Sequence, residues 1–189
     1  MLEQTPSQTV GPFFHYGLVQ GDENVLVNEH TRGERILITG RVLDGDGVAL
    51  PDAMIEIWQA DAGGHFKHPA DAQSHAADEN FRGFGRADSV NAGAYFFQTI
   101  KPGRVAGREG EMQAPHINVR VFARGMLLHA DTRLYFSDEP ANADDALLNS
   151  IDAARRHTLI ATRVESNGLP TYRFDIRLQG NDETVFFEI

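Results

Sequence analysis

The segment Ala114-Pro115-His116-Ile117-Asn118-Val119-Arg120-Val121 admits one regular backbone. Apolar Ile117, Val119 and Val121 alternate with polar His116, Asn118 and Arg120, and a period of two sends these two sets to opposite faces of a β-strand. The same period runs through residues 34–42, where Ile36, Ile38 and Val42 share a face. Strand-forming runs recur at residues 53–59, 93–100, 132–136, 158–164 and 172–178. Turn chemistry separates them: Asp44-Gly45-Asp46-Gly47 precedes the second run, and Asn167-Gly168 lies between the last two. This pattern predicts an all-β chain rather than an α/β fold: an antiparallel β-sandwich core with long irregular loops, an N-terminal arm and one short helix. The helix is expected over residues 143–153, with Asn142 as N-cap and Asp144 and Asp145 complementing the helix dipole.

Two stretches lie outside the strand pattern. Residues 60–92 read as one long, polar, irregular loop, and loops of that length in compact domains carry function or an interface. Residues 1–30 hold a turn-rich arm, Thr5-Pro6-Ser7-Gln8-Thr9-Val10-Gly11-Pro12-Phe13-Phe14, whose prolines and glycine suit neither helix nor central strand. Its paired phenylalanines favour docking on another surface, because each left in water forgoes roughly 1.5–3 kcal/mol of burial. With no repeat, linker or low-complexity tract, the 189 residues are expected to form a single domain.

A net charge of −10 argues against nucleic acid or an anionic membrane surface as partner, while leaving room for a small anion held by a placed arginine. Cysteine is absent, which excludes disulfides, zinc–thiolate sites and a thiol nucleophile. The N-terminus has no basic segment leading into an apolar run, so the expected location is cytoplasmic, with no membrane partner. Among the eight histidines no zinc-protease spacing occurs; His65 and His68, three apart, could share an ion but read rather as solvated loop residues. The His-x-Asn of His116 and Asn118 has an amide where a second imidazole would grip a metal, and an amide is a far weaker ligand.

Four motifs in order carry more information than any one of them: Glu56-Ile57-Trp58-Gln59-Ala60-Asp61-Ala62-Gly63-Gly64, Phe97-Gln98-Thr99-Ile100-Lys101-Pro102-Gly103, Ala114-Pro115-His116-Ile117-Asn118 and Thr132-Arg133-Leu134-Tyr135-Phe136. Together they resemble the intradiol ring-cleaving dioxygenases, over essentially the whole chain. In the iron-bearing members the resemblance implies Fe(III) held by two tyrosinates and two histidines. The first tyrosine position, two residues after the glycine pair, falls on Phe66; the second, two after Lys-Pro-Gly, on Val105; the histidines on His116 and Asn118. One donor of four remains, so the resemblance implies no metal site in this chain, only vestigial positions, and no catalytic residue of its own.

That loss matches the branch of the family built from two homologous subunits, in which an iron-bearing beta subunit partners an alpha subunit without iron in a hetero-oligomer. The expected activity of the pair is cleavage of a small aromatic acid, protocatechuate, with O2 between its hydroxyls to give 3-carboxy-cis,cis-muconate. The expected substrate-binding contribution of this chain is Thr9, Gly11, Pro12 and Phe13 on the arm, and Arg133, whose planar guanidinium suits a ring carboxylate. Phe13 stands where some relatives have tyrosine, so a hydroxyl is missing there. Two other readings stay open at this stage: a non-catalytic β-sandwich binding or assembly protein, and a self-sufficient metalloenzyme using His65, His68 and His116.

Overall fold

The computed structural model describes residues 16–107, 110–164 and 168–188. Among the described residues nine strands form: β1 (Arg35–Leu43), β2 (Met54–Trp58), β3 (Phe84–Asp88), β4 (Ala94–Ile100), β5 (His116–Phe122), β6 (Ala130–Phe136), β7 (Ile160–Val164), β8 (Thr171–Arg173) and β9 (Ile176–Arg177). They join in one sheet of order β3-β2-β5-β6-β7-β8-β1-β4, with β9 beside β1, and the two ends of that path, β3 and β4, touch. The sheet therefore closes on itself around a core to which both halves contribute. Ile36, Ile38, Val42 and Phe97 face Ile55, Ile57, Val119, Val121 and Leu134 across it, all buried. No helix among the described residues is long and apolar enough to cross a membrane.

The strand alternation is realised as expected along β1 and β5, where every apolar residue named above is buried. The sheet is mixed rather than antiparallel, however. β1 runs parallel to β8 and β9, and β6 runs parallel to β7. A parallel pair needs a long crossover, and residues 137–159 provide it between β6 and β7.

Within residues 60–92 the chain is not irregular throughout, because β3 pairs antiparallel with β2 from Asp88 opposite Met54 to Phe84 opposite Trp58. Its inward positions are Gly85 and Ala87, so a strand is present without an apolar alternation to announce it. The smallness is required: a Cβ on Gly85 would lie 2.6 Å from Leu26 Cδ1.

The helix, α1, is shorter than expected, Ala146–Ser150, and follows a 3-10 turn at Pro140–Asp144. Its cap is Asp145, whose carboxylate accepts from Leu148 N at 2.8 Å, and not Asn142, whose amide is turned to the Phe136 carbonyl at 2.7 Å. A carboxylate already seated at the helix start leaves no unpaired amide for an earlier cap. β7 and β8 pair antiparallel as the hairpin reading requires; Asn167 of the expected turn lies outside the described residues.

Candidate functional site

Period-two geometry turns the outer face of β3-β2-β5-β6 into rows. One row runs Phe84, Trp58, Asn118, Arg133, each directly opposite the next across the strands. The next outward row runs Arg86, Glu56, Arg120, Asp131, a ladder of alternating charge. Its ion pairs are close, Arg86 Nε to Glu56 at 2.6 Å and Arg120 Nε to Asp131 at 2.8 Å. Over these rows lies an open cavity of about 820 Å³, walled on the far side by Leu147 of α1 and by Phe187.

Two loops close one end of this face. Gln59, buried just after β2, donates to the Ile100 carbonyl at 3.1 Å and accepts from Thr99 Oγ1 at 2.7 Å, which ties the start of the loop after β2 to the end of β4. Asp61 then organises the first loop: Oδ1 accepts from Gly63 N and His65 N, and its backbone carbonyl accepts from Gly103 N at 2.8 Å. Gly64 sits at φ 82°, and a Cβ there would lie 2.1 Å from the Arg104 carbonyl oxygen, so only glycine lets the two loops approach. The glycine pair and the Lys-Pro-Gly turn are thus packed on one another, with Phe66 and Val105 following them. Phe66 stacks on Trp58, ring centroids 5.7 Å apart, and the Val105 carbonyl accepts from Gln113 N at 2.9 Å.

His116 opens β5 on the same outward face as Asn118 but is buried, because Tyr135, Leu148 and Leu159 build a second small core over that end of the sheet. Its Nδ1 meets the Ala114 carbonyl at 2.8 Å, which requires a proton on Nδ1 and leaves the lone pair on Nε2 in the neutral ring. Burial, then the nearby Arg133 charge, lower its pKa to about 4, so it is neutral at pH 7. Fully buried Asp145 holds this corner together, accepting from Ala114 N at 2.8 Å, Leu148 N at 2.8 Å and Tyr135 Oη at 3.1 Å. Burial pushes the Tyr135 hydroxyl up to about 12.

Arg133 is half-buried in the middle of this network. Nε donates to Asn118 Oδ1 at 3.0 Å and Nη1 to Gln113 Oε1 at 2.7 Å, and the guanidinium charge acts on the nearby Tyr135 hydroxyl. These partners are neutral, and none of the ion pairs among the described residues includes Arg133.

The four positions matched to iron ligands in sequence therefore belong to neighbouring segments, but their chemistry does not fit a ferric ion. Phe66 and Val105 offer no donor, the Asn118 oxygen is engaged by a cation, and that cation would repel another. Among the described residues no three His, Asp or Glu side chains could hold a metal ion. His65 is turned to Asp61 at 3.6 Å and His68 lies edge-on to Trp58 at 6.1 Å, so neither joins His116 in a ligand set. Thr9, Gly11, Pro12 and Phe13 lie outside the described residues. Trp58, Gln113, Tyr135 and Asp145 were not among the residues expected at the site. The first could have been found from register alone, since Trp58 is in phase with Asn118, whereas Gln113 and Asp145 reach the site from irregular segments.

Comparison with known proteins gives a consistent picture. The sequence pattern of a family described as dioxygenase matches residues 9–180. The chain is 46% identical to the protocatechuate 3,4-dioxygenase alpha chain of Burkholderia cepacia, over 100% of this chain and 98% of that one. It is 35% identical to the beta chain of the same organism's enzyme, over 94% of this chain and 77% of that one. Among solved structures, the dioxygenase domain of a dioxygenase–carbohydrate-binding protein fusion from Streptomyces sp. SirexAA-E superposes with a TM-score of 0.65 at 26% identity, covering 83% of this chain and 87% of that one.

Proposed function

The chain belongs to the intradiol dioxygenase family, and from that premise we propose that it is the alpha, non-iron subunit of a protocatechuate 3,4-dioxygenase. Full-length similarity to an alpha chain, at higher identity than to the matching beta chain, is the observation that carries the reading. In it, a homologous beta subunit holds Fe(III) and performs the oxidative chemistry. The pair adds both atoms of O2 to protocatechuate and opens the ring between its hydroxyls to give 3-carboxy-cis,cis-muconate.

This chain works in the cytoplasm as a single domain, residues 1–189, with residues 1–30 docked on the partner. Its task is recognition. Arg133 offers the ring carboxylate a planar, permanently charged fork, and Thr9, Gly11, Pro12 and Phe13 of the arm line the substrate. The guanidinium on Asn118 supports the division of labour, because it sets a positive charge where iron would need a neutral donor.

The test is co-expression with the beta homologue, followed by oxygen uptake on protocatechuate and iron analysis of each subunit. The pair consumes one O2 per substrate and the iron follows the beta subunit. Equal oxygen uptake with and without this chain would return it to the role of an assembly protein.

A further inference from the structure

We propose that Asn118 and Gln113 are positioning residues for the ring cleavage: they touch neither the reacting ring nor its carboxylate, and act only by setting the plane of the Arg133 guanidinium while leaving its charge uncancelled. The inference rests on the reading of Arg133 as the group that meets the ring carboxylate, and gives a role to two residues that reading leaves without one.

β5 and β6 supply their own comparison. Two arginines lie directly opposite a polar residue across this strand pair, Arg120 opposite Asp131 and Arg133 opposite Asn118. In both cases the arginine Nε donates to that residue, at 2.8 Å and 3.0 Å. The first acceptor is a carboxylate and the second an amide of nearly the same size and shape. On the same face Arg86 is likewise closed by a carboxylate, that of Glu56, at 2.6 Å. An aspartate at position 118 would have made one more ion pair; asparagine keeps the direction of the hydrogen bond and omits the charge.

Gln113 repeats the choice from an irregular segment. Its Oε1 accepts from Arg133 Nη1 at 2.7 Å. Its backbone is pinned on both sides: N donates to the Val105 carbonyl at 2.9 Å, its carbonyl accepts from Arg104 Nε at 3.2 Å, and Arg104 Nη2 donates to the Met112 carbonyl at 2.6 Å. The side chain therefore starts from a fixed point. Amides on Nε and Nη1 hold two corners of a planar group, which restrains its rotation while further N–H donors in the same plane stay open to a carboxylate. Asn118 and Val105 stand at two of the positions matched to iron ligands, so segments that offer a metal no donor serve to aim a guanidinium instead.

This role carries a particular kinetic signature. The ring carboxylate is unaltered by cleavage between the hydroxyls, so its contact with Arg133 contributes equally to ground state and transition state and shows in KM rather than kcat. A residue that aims Arg133 shares that signature. A residue that only supports the fold does not, because its loss lowers the active fraction for every substrate.

The test uses the chain assembled with the beta homologue, and protocatechuate and catechol as substrates. Asn118→Asp and Gln113→Glu keep the shape and cancel the charge; each raises KM for protocatechuate roughly 10- to 100-fold and lowers the preference over catechol by the same factor. Gln113→Leu frees one corner of the guanidinium and raises that KM roughly 3- to 10-fold. Its effect vanishes in an Arg133→Gln background, where nothing is left to aim. An unmoved KM in both acid variants, equal losses on catechol, or the full Gln113→Leu effect without Arg133 each overturn the proposal. If Arg133→Gln raises KM while the acid variants do not, this inference alone fails; a native pair that consumes no O2 with protocatechuate removes the subunit assignment and this inference with it.

Discussion

His116 is neutral at pH 7 because burial and the Arg133 charge both oppose its protonation, and that preference is linked to stability. Its pKa falls from 6.5 to about 4 on folding. Above pH 6.5 neither state is protonated and the contribution is complete. As pH falls toward 4 the unfolded chain takes up a proton that the folded chain refuses, so stability is lost across that window, by at most about 3 kcal/mol. Unfolding free energies measured at pH 7 and pH 4.5 should differ less for His116→Asn than for the native chain; identical pH slopes would show that the imidazole does not titrate differently on folding. Arg133 acts at the same scale. In the assembled enzyme, Arg133→Ala should reduce turnover of protocatechuate by roughly 10- to 150-fold in kcat/KM and spare catechol, which lacks the carboxylate. Equal losses on both substrates would assign Arg133 to folding or assembly.

Between elements, single atoms decide how strands cross. Gly40, in the middle of β1, has the Phe174 carbonyl oxygen 1.8 Å and the Tyr95 hydroxyl 2.8 Å from where a Cβ would stand. The Tyr95 hydroxyl itself donates to that carbonyl at 2.6 Å, closing the space between β8 and β9 over β1. Gly40→Ala must therefore push the chain at residue 174 away from β1 and break this bond. Overpacking and a stranded buried donor together should cost about 2–5 kcal/mol, a fall of several degrees in Tm that Tyr95→Phe alone would only partly reproduce. A variant melting within a degree of the native chain would mean the crossing has slack. Asp138 plays a comparable part through side chains: it accepts from Tyr172, Arg163 Nη1 and Lys101 Nζ, joining the end of β6 to β7, β8 and the loop after β4. Those hydrogen bonds outweigh its burial and hold its pKa below the usual carboxylate value.

For the molecule as a whole, charge and surface point in different directions. A net charge of −10 favours solubility and would repel an aromatic acid from everywhere but a placed arginine. Yet the end of the fold away from the candidate site carries exposed Val48, Val90, Leu127 and Leu128. Their three loops are joined by Arg124 Nε to Asp52 at 2.9 Å and by Ser89 Oγ to the Leu50 carbonyl at 2.6 Å, which gathers them into one apolar end. The chain expressed without its partner should aggregate and contain no stoichiometric iron. A well-behaved monomer eluting at 20.9 kDa, or near-equimolar iron in the isolated chain, would count against an obligate alpha subunit.

The sequence by itself determined the strands whose inward residues are large and apolar, because the alternation of Ile36, Ile38, Ile117, Val119 and Val121 has one solution in which water is excluded. It also marked the two loops that pack on one another at the end of this face, since the glycine pair and Lys-Pro-Gly are turn signals and the close approach admits no side chain at Gly64. Only the tertiary structure decided the mixed sheet, the strand hidden in Gly85 and Ala87, and the cap at Asp145. Each depends on a partner distant in the chain: Leu26 fills the space over Gly85, and Ala114 and Tyr135 draw the Asp145 carboxylate inward. The state of Arg133 belongs with these. Its row on β6 is legible from the period of two, but the neutral amides that leave its charge open, Asn118 and Gln113, meet it only when β5 and the loop before it are laid against β6.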